Sequence, residues 1–502
     1  MTFSAMEYKT TLTFYSKSQK TPLTFYHIHE IIPIQSRHIS RPSSQSPGSR
    51  FHPNKAKIMK RVLEKQLIEW KNSRRRKPLI LRGARQVGKT WLVENVLAKE
   101  FESFVKIDLE KRSDLHVHFE HALDPRKILG YLELTAGRIT PGKTLLFLDE
   151  IQACPRAIMA LRYFFEEMPE LHVIAAGSLL DFALGEISIP VGRVQYLHIN
   201  PMTFYEYLIA VGTEPMAEHS LAPPDSVEEP VQKMILDELR TFFFVGGMPE
   251  CVKTWRDSGS MVETFKVQSE LLESYRDDFS KYKPHVAPAC LDAVFLTAAK
   301  SVGEQLKYTR LNEGHSSQTN RKAFDLLVKA GVIQKIPSCD PSGLPLGATA
   351  NQKKFKASML DIGLMQRLCQ VPVELELQHE SLLAMYRGKL AEQFVAQELL
   401  THQDPELYYW SRDARGSSAE VDFLVVGRGK IYPLEVKSGA AGSLKSLHLM
   451  LKKYPNCPRG LVLYSGTYTN LPEQKLEFLP LYSVASLITA HAAPDSATPL
   501  CP

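Results

Sequence analysis

From residue 78 onward, short apolar runs alternate with stretches of helical periodicity. The apolar runs cover residues 79–81, 104–109, 144–148, 172–176 and 194–199. Strands of a parallel sheet are buried on both faces, so they have this continuous apolar character, and the helices between them cover the sheet. The pattern therefore predicts an α/β fold built on a parallel sheet.

The pattern changes again C-terminal to this sheet. A mainly helical stretch is interrupted by the Pro-rich residues 223–230, and residues 322–335 read as a helix, a glycine stop and a strand, which is a winged-helix pattern. We predict four folded units: a core (59–200), a helical lid (201–280), a winged-helix-like middle region (281–380) and a C-terminal α/β domain (381–485).

The two ends of the chain lack such patterns. Residues 1–58 show no sustained period and include the Ser/Pro-rich run 41–50, a composition that buries too little apolar surface to become ordered. We predict disordered tails at 1–58 and 486–502. Apolar residues at helical spacing begin just after Met59. An alternative is therefore that translation begins there and that the first 58 residues are a gene-model extension.

Composition and charge exclude several classes of protein. With 44% hydrophobic and 23% charged residues, the 502-residue chain has the composition of a soluble globular protein of several domains. The absence of a long apolar span or a signal pattern predicts a cytoplasmic protein that does not bind membranes. The net charge of +6 equals the excess of eight basic over two acidic residues within 1–58. Charge therefore gives no support for nucleic-acid binding by the folded part.

A phosphate-binding motif, GxxxxGK[ST], lies between the first predicted strand and a helix. Its residues are Gly83, Ala84, Arg85, Gln86, Val87, Gly88, Lys89 and Thr90. Glycines let the loop wrap so that backbone N–H groups face phosphates, the Lys89 ammonium neutralises the β/γ charge, and the Thr90 hydroxyl reaches Mg²⁺. The motif predicts polyphosphate binding; the alternative is a glycine turn that binds nothing.

A second motif, TLLFLDE at 144–150, predicts a buried strand that ends in two acids. In this pattern Asp149 ligates magnesium and Glu150 serves as general base for water. The alternative is that both acids cap the following turn. The next apolar run ends at Ser178, which we expect beside the γ-phosphate as a sensor.

Several motifs in this order resemble a known family. Through LRGARQVGKTWL, LLFLDEIQACP, AAGSLL and VGRVQYLHINPMTFYEYL, residues 78–210 resemble the AAA-type ATPase domain of prokaryotic ATP-binding proteins with an uncharacterised C-terminal domain. The resemblance implies a P-loop NTPase fold with a helical lid, and ATP and Mg²⁺ as cofactors. It also implies an arginine that supplies transition-state charge, for which Arg193 is the candidate; the alternative is a surface arginine that braces the last strand.

A charged hairpin is predicted in the C-terminal domain. Residues 419–426 and 430–437 form apolar strands around Gly427-Arg-Gly429. With a loop at 427–430, residue i faces residue 857 − i, so Asp422 faces Glu435 and Glu420 faces Lys437. Carboxylates this close repel unless a proton or a divalent cation separates them, and hard oxygen ligands favour Mg²⁺ or Mn²⁺.

This arrangement resembles the PD-(D/E)xK nuclease core, although Glu420-Val-Asp422 replaces the usual Pro-Asp pair. The resemblance implies that Asp422 and Glu435 hold the metal and that Lys437 orients the attacking water. Glu392, in a predicted helix, matches an additional acid of some of these enzymes. The alternative is an inactive strand pair with a solvated charged face that includes a Glu420–Lys437 ion pair.

Two functions follow from these motifs. In the first, an ATPase controls a C-terminal nuclease centre that acts on DNA. In the second, the chain is a nucleotide-dependent module that binds a protein partner or further copies of itself and cleaves nothing. A small-molecule kinase shares the P-loop, but the acidic pair at 149–150 favours water activation.

Overall fold

The computed structural model describes residues 59–120, 123–177, 192–280, 286–371, 384–402, 406–414, 417–437 and 443–487. The predicted tail 1–58 and the predicted sensor Ser178 lie outside these residues. At the other end, Ser486 and Leu487 are buried. The C-terminal tail therefore does not begin at 486, because these two side chains pack on the folded part.

A five-stranded parallel sheet forms the N-terminal part, as the apolar runs predict. Its strands are β1 (Leu79–Arg82), β2 (Ser103–Asp108), β3 (Thr144–Asp149), β4 (His172–Ala176) and β5 (Gln195–His198). Their spatial order is β2-β3-β4-β1-β5, and every pairing is parallel. The carboxyl ends of all five strands therefore lie at one edge of the sheet.

Helices cover both faces of this sheet. They are α1 (Glu64–Asn72), α2 (Lys89–Asn95), α3 (Val117–Glu120), α4 (Pro125–Ala136) and α5 (Pro155–Glu167). Side chains alternate between the faces: Leu79 and Leu81 pack into one core and Ile80 into another. Burial on both faces explains why the central strands β1, β3 and β4 are apolar at successive positions, whereas the edge strands β2 and β5 are partly exposed.

The helical region follows the sheet. It consists of α6 (Phe204–Val211), α7 (Glu214–Leu221), α8 (Glu229–Val245), α9 (Pro249–Ser258) and α10 (Met261–Phe279). Thr203 and Glu206 form a capping box at the start of α6, which fixes the direction in which the chain leaves the sheet. The predicted Pro-rich interruption contains a short 3₁₀ turn, Pro224–Ser226, between α7 and α8.

The middle region contains four helices and a hairpin. They are α11 (Pro288–Lys300), α12 (Tyr308–Leu311), α13 (Ser317–Lys329), β6 (Ile333–Ser338), β7 (Asn351–Met359) and α14 (Ile362–Leu368). Gly331, at φ 73°, joins α13 to β6, and β6 pairs antiparallel with β7. This is the predicted sequence of helix, glycine stop, strand and hairpin.

The C-terminal region adds two further sheets. Its elements are α15 (Ala384–His402), β8 (Trp410–Ala414), β9 (Ser417–Val421), β10 (Phe423–Gly427), β11 (Lys430–Val436), α16 (Lys445–Lys453), β12 (Gly460–Tyr464), β13 (Thr469–Leu471) and β14 (Leu476–Pro480). The larger sheet has the order β10-β11-β12-β14-β13, and β8 pairs separately with β9. The chain is thus mixed α/β throughout.

One apolar core joins these regions. It includes Leu81 of the first sheet, Phe242 of the helical region, Phe324 of the middle region, and Phe394 and Leu434 of the C-terminal region. A separate cluster lies on the other face of the C-terminal sheet. Because the regions share one core, a shift in one of them changes the packing of the next.

Asp361 provides the buried polar link in this core. Its carboxylate caps α14 by accepting the Leu364 N–H at 2.9 Å and also accepts the Gly247 N–H, from the end of α8, at 2.6 Å. Asp361 has no exposed surface. The carboxylate therefore satisfies backbone donors of the helical region and of the middle region at once.

We expect Asp361→Ala to lower the free energy of unfolding by about 3 kcal/mol, because two buried N–H groups lose their acceptor. Denaturant titration measures this loss. Asp124 caps α4 at an exposed position, so Asp124→Ala is the matched control, with an expected loss of about 1 kcal/mol. Equal losses in the two variants would contradict the linking role of Asp361.

Candidate functional site

The phosphate loop connects β1 to α2 at the carboxyl edge of the first sheet. Its backbone has positive φ angles at Gly83 (140°), Gln86 (63°) and Gly88 (94°). A Cβ atom on Gly83 would lie 2.2 Å from the Ile199 carbonyl oxygen. The motif glycines are thus required both by backbone conformation and by the close approach of β5.

Lys89 is the first residue of α2, and its side chain folds back into the phosphate loop. Its ammonium donates to the carbonyl oxygens of Gly83, at 2.9 Å, and Ala84, at 2.7 Å. Burial lowers the pKa of Lys89 to about 8, although Glu150 and Asp149 oppose this shift. Both of these acceptors are neutral carbonyl oxygens, so an anion placed in the same loop would give the buried ammonium a charged partner.

Thr90 and Asp149 lie beside each other, as a shared metal site requires. The Thr90 hydroxyl donates to Asp149 Oδ2 at 3.1 Å, and Lys106 Nζ lies 3.1 Å from the same oxygen. Burial raises the pKa of Asp149, and Lys106 opposes that shift. The hydroxyl and carboxylate oxygens are hard ligands that suit Mg²⁺.

Glu150 follows β3 in a left-handed conformation, with φ 47°. Its Oε2 accepts from Gln152 Nε2 at 2.5 Å. The Gln152 side chain lies against Gly177 at the end of β4, where a Cβ atom would lie 2.1 Å from Gln152 Oε1. Gln152, which sequence reasoning missed, therefore positions the carboxylate between two strand ends.

Arg61, which the sequence analysis did not identify, connects the phosphate loop to the segment after β5. Its guanidinium donates to the Val87 carbonyl at 3.0 Å and to the Asn200 carbonyl at 2.7 Å, and it lies 3.1 Å from Glu206. Only 3% of Arg61 is exposed. No sequence motif marks this residue, because its three partners come from the loop, from the end of β5 and from α6.

The helical and middle regions contact the same loop. Tyr275 of α10 donates its hydroxyl to the Arg85 carbonyl at 2.9 Å, and the Arg85 guanidinium lies 2.8 Å from Asp278. Gly331 packs on Ala84 so closely that a Cβ atom there would lie 3.4 Å from the Ala84 nitrogen. A cavity of about 140 Å³ is lined by Gly83 and Ala84 of the loop, by Gly331 and by residues of α15. Both regions thus lie against the loop.

Arg193 lies at the opposite edge of the sheet. It precedes β5, whose Gln195 pairs with Leu79 at the start of β1, whereas the phosphate loop follows Arg82 at the end of β1. The two edges are about 13 Å apart along a four-residue strand. The Arg193 guanidinium instead contacts Glu166 of α5 at 2.7 Å, which fits the bracing alternative. Within its own chain, Arg193 thus lies at the end of the strands away from the phosphate loop.

The C-terminal hairpin has the predicted register with a shorter loop. Phe423 pairs with Leu434 and Gly427 with Lys430, so the residue numbers of each pair sum to 857. Only Arg428 and Gly429 form the loop, in place of the four residues expected. Continuing the register puts Asp422 opposite Glu435, and Asp422 Oδ2 accepts the Val436 N–H at 2.9 Å.

The predicted Glu420–Lys437 pairing is wrong. Glu420 lies in β9, which pairs with β8, where Ser411 is its partner. Lys437 instead donates to Glu435 Oε1 at 2.6 Å. The chain bends between β9 and β10, so the register of the hairpin does not extend to Glu420.

Lys356 of β7 fills the space between the carboxylates, which no sequence motif predicts. Its ammonium lies 2.8 Å from Glu392, 2.6 Å from Glu420 and 3.2 Å from Asp422. Burial alone would lower the pKa of Lys356, but these three carboxylates hold it well above its usual value. The side chain is 1% exposed and charged.

We name Glu392, Glu420, Asp422 and Glu435 the acidic cluster. Burial, reinforced by repulsion from Asp422, raises the pKa of Glu392 to about 7 and that of Glu435 to about 8. Within the described residues, no group of three or more His, Cys, Asp or Glu side chains is arranged to hold a metal ion. The predicted carboxylates thus come together, but around an ammonium group.

The fold and the phosphate loop together define a class of protein. A parallel sheet in the order β2-β3-β4-β1-β5, with GARQVGKT between β1 and α2, forms an ATP-binding P-loop domain of the AAA type. Residues 75–208 match the family described as an AAA domain. Residues 236–375 and 387–484 match families described as domains of unknown function, DUF8612 and DUF4143. No curated protein matches the chain.

The chain is also similar to solved structures of other proteins. The Walker-type ATPase PABY2304 of Pyrococcus abyssi has 14% sequence identity and a TM-score of 0.42, over 62% of this chain and 96% of that one. The RuvB Holliday junction branch migration motor of Thermotoga maritima has 16% identity and a TM-score of 0.26, over 55% and 89%. The N-terminal domain is therefore classified from the family match over residues 75–208 and from the geometry of the phosphate loop.

Membrane insertion is a separate question. In the parts of the chain that the structure describes, no helix combines the length and the apolar character that a membrane span requires.

Proposed function

We propose that the chain binds ATP with Mg²⁺ in the phosphate loop and hydrolyses it. The observation that carries this proposal is the buried Lys89 ammonium, which is bonded to the Gly83 and Ala84 carbonyls inside the loop. A triphosphate gives this cation anionic partners, and the backbone N–H groups of the loop and of the α2 N-terminus add further donors.

We assign separate roles in hydrolysis to the other residues at the loop. Thr90 and Asp149, whose oxygens are 3.1 Å apart, would hold Mg²⁺, which neutralises charge on the β- and γ-phosphates. Glu150, held by Gln152, would orient and deprotonate the attacking water. Ser178 stays a predicted sensor beside the γ-phosphate.

Phosphate release from ATP tests this proposal. The full chain should release phosphate with Mg²⁺ and stop when the metal is chelated. Turnover that continues in excess chelator would contradict the assigned chemistry.

A hydrogen-bonded route supports coupling between the loop and the C-terminal region. Arg61 donates to Val87 of the loop and to Asn200, and Asn200 Nδ2 donates to the Leu400 carbonyl of α15 at 3.1 Å. The same helix carries Glu392 of the acidic cluster. Nucleotide binding that moves the loop would therefore move α15.

For the C-terminal region we favour the interaction module over the nuclease. Asp422, Glu435, Lys437 and Glu392 lie together as a PD-(D/E)xK-like centre requires, but the Lys356 ammonium contacts two of those acids. We expect plasmid and single-stranded DNA to stay intact after prolonged incubation of the wild-type chain with Mg²⁺ or Mn²⁺. Cleavage that Asp422→Ala and Glu435→Ala abolish would instead establish the nuclease.

Arg193 leads to a separate prediction about assembly. Because Arg193 lies at the end of the strands away from the loop of its own chain, Arg193→Ala should leave ATP affinity and the turnover of dilute protein unchanged. Only turnover that rises with protein concentration should fall, since that part requires a neighbouring copy. Arg162 shares the same partner, Glu166, so Arg162→Ala is the control. A concentration-independent loss in Arg193→Ala alone would contradict this geometry.

A further inference from the structure

Lys356 reaches the acidic cluster from outside the C-terminal region. It lies in β7 of the middle region, whereas its partners lie in α15 (Glu392), in β9 (Glu420) and just before β10 (Asp422). The neighbouring Lys354 has an ordinary surface contact with Asp413, whose side chain is 75% exposed. The two lysines thus have separate acidic partners, and it is Lys356 that contacts the cluster.

The cluster has more anionic capacity than its lysines use. Lys437 pairs with Glu435 Oε1, but within the described part of the chain no donor reaches Glu435 Oε2, which is buried. Glu435 is 7% exposed, and the hairpin register puts it opposite Asp422. A buried oxygen without a partner beside the three other acidic side chains of the cluster indicates a position where a proton or a further cation would be stabilised.

We propose that Lys356 is a protein-borne cation that occupies the acidic cluster, excludes a divalent ion from it, and thereby joins the middle region to the C-terminal region. The proposal is independent of ATP hydrolysis, because it concerns carboxylates remote in sequence from the phosphate loop.

Distances and charge explain the exclusion. The ammonium lies 2.6–3.2 Å from three carboxylates, whereas Mg²⁺ requires oxygens at about 2.1 Å and Ca²⁺ at about 2.3–2.6 Å. An ammonium at that position also repels a divalent ion placed among the same carboxylates. Lys356 and the ion therefore compete for the same oxygens.

Mn²⁺ binding to the full chain without nucleotide tests this competition. We would compare the wild type with Lys356→Met, which keeps a long unbranched side chain, one atom shorter, and removes its charge. Lys354→Met is the matched control on the same strand. The double variant Lys356→Met with Asp422→Asn separates binding at the acidic cluster from binding elsewhere.

Lys356→Met should gain a Mn²⁺ site that binds at least about tenfold more tightly than any cluster site of the wild type. Adding Mn²⁺ should raise its melting temperature, and the double variant should lose both effects. Lys354→Met should behave as the wild type. A wild-type Mn²⁺ site that the double variant lacks, or a folded Lys356→Met that gains no site, would overturn the proposal.

A second measurement does not depend on any variant. Reductive methylation of the native wild-type chain, read by mass spectrometry, should modify the exposed Lys353 and leave Lys356 unmodified, because Lys356 is 1% exposed. Denatured protein should be modified at both positions. Methylation of Lys356 as fast as of Lys353 in the native chain would show that the lysine does not occupy the cluster.

Discussion

Lys89→Ala should lower the affinity for ATP by about 100-fold or more, so that no turnover is measurable at ordinary ATP concentrations. The substitution removes the ammonium that now donates to the Gly83 and Ala84 carbonyls. In the complex this group would make charge-assisted hydrogen bonds to phosphate oxygens, each worth about 1.5–3 kcal/mol. Titration with a fluorescent ATP analogue measures the loss.

The control for this variant is a lysine close in sequence but outside the loop. Lys99 is exposed in the 3₁₀ turn that follows α2, so Lys99→Ala should bind ATP as the wild type does. Circular dichroism and the melting temperature establish that Lys89→Ala is folded. Unchanged affinity in folded Lys89→Ala would remove the phosphate site from this loop.

Glu150→Gln should retain ATP binding and lose turnover by a factor of about 10² to 10⁴, the usual contribution of a general base. The side chain keeps its size and can still contact Gln152, which now donates to the Glu150 carboxylate. It can no longer take a proton from water. A binding titration and a phosphate-release assay on the same protein separate the two effects.

An exposed glutamate provides the comparison for Glu150. Glu102 has a side chain that is 68% exposed and paired with Lys143, so Glu102→Gln should hydrolyse ATP at the wild-type rate. Equal turnover in Glu150→Gln and the wild type would show that Glu150 is not the base and only caps the turn after β3.

Local sequence signals predicted much of the N-terminal domain. The five apolar runs correspond to the five parallel strands. The signal is clearest for β1, β3 and β4, because these central strands are buried on both faces and have few polar positions. The phosphate loop was equally predictable, since its glycines are required by backbone conformation within eight consecutive residues. The hairpin register followed from one loop and the two-residue period of strands, and it held although the loop is two residues shorter than expected.

Contacts between distant segments could not be predicted in this way. Lys356 is 36 residues from Glu392 and 66 from Asp422 along the chain, and the three meet only after β7, α15 and the hairpin have packed together. Arg61 meets Asn200 across 139 residues. Glu420 was assigned to Lys437 because the register was extended past Val421, where the chain leaves one sheet for the other.

The most direct test of the central claim is ATP binding and phosphate release measured together on the full chain, Lys89→Ala and Glu150→Gln with Mg²⁺. We expect that the wild type binds and hydrolyses ATP, that Lys89→Ala does neither, and that Glu150→Gln binds intact ATP without releasing phosphate. A folded wild-type chain that does not bind ATP, or a Lys89→Ala variant that hydrolyses it at the wild-type rate, would contradict the assignment of this P-loop as the ATP site.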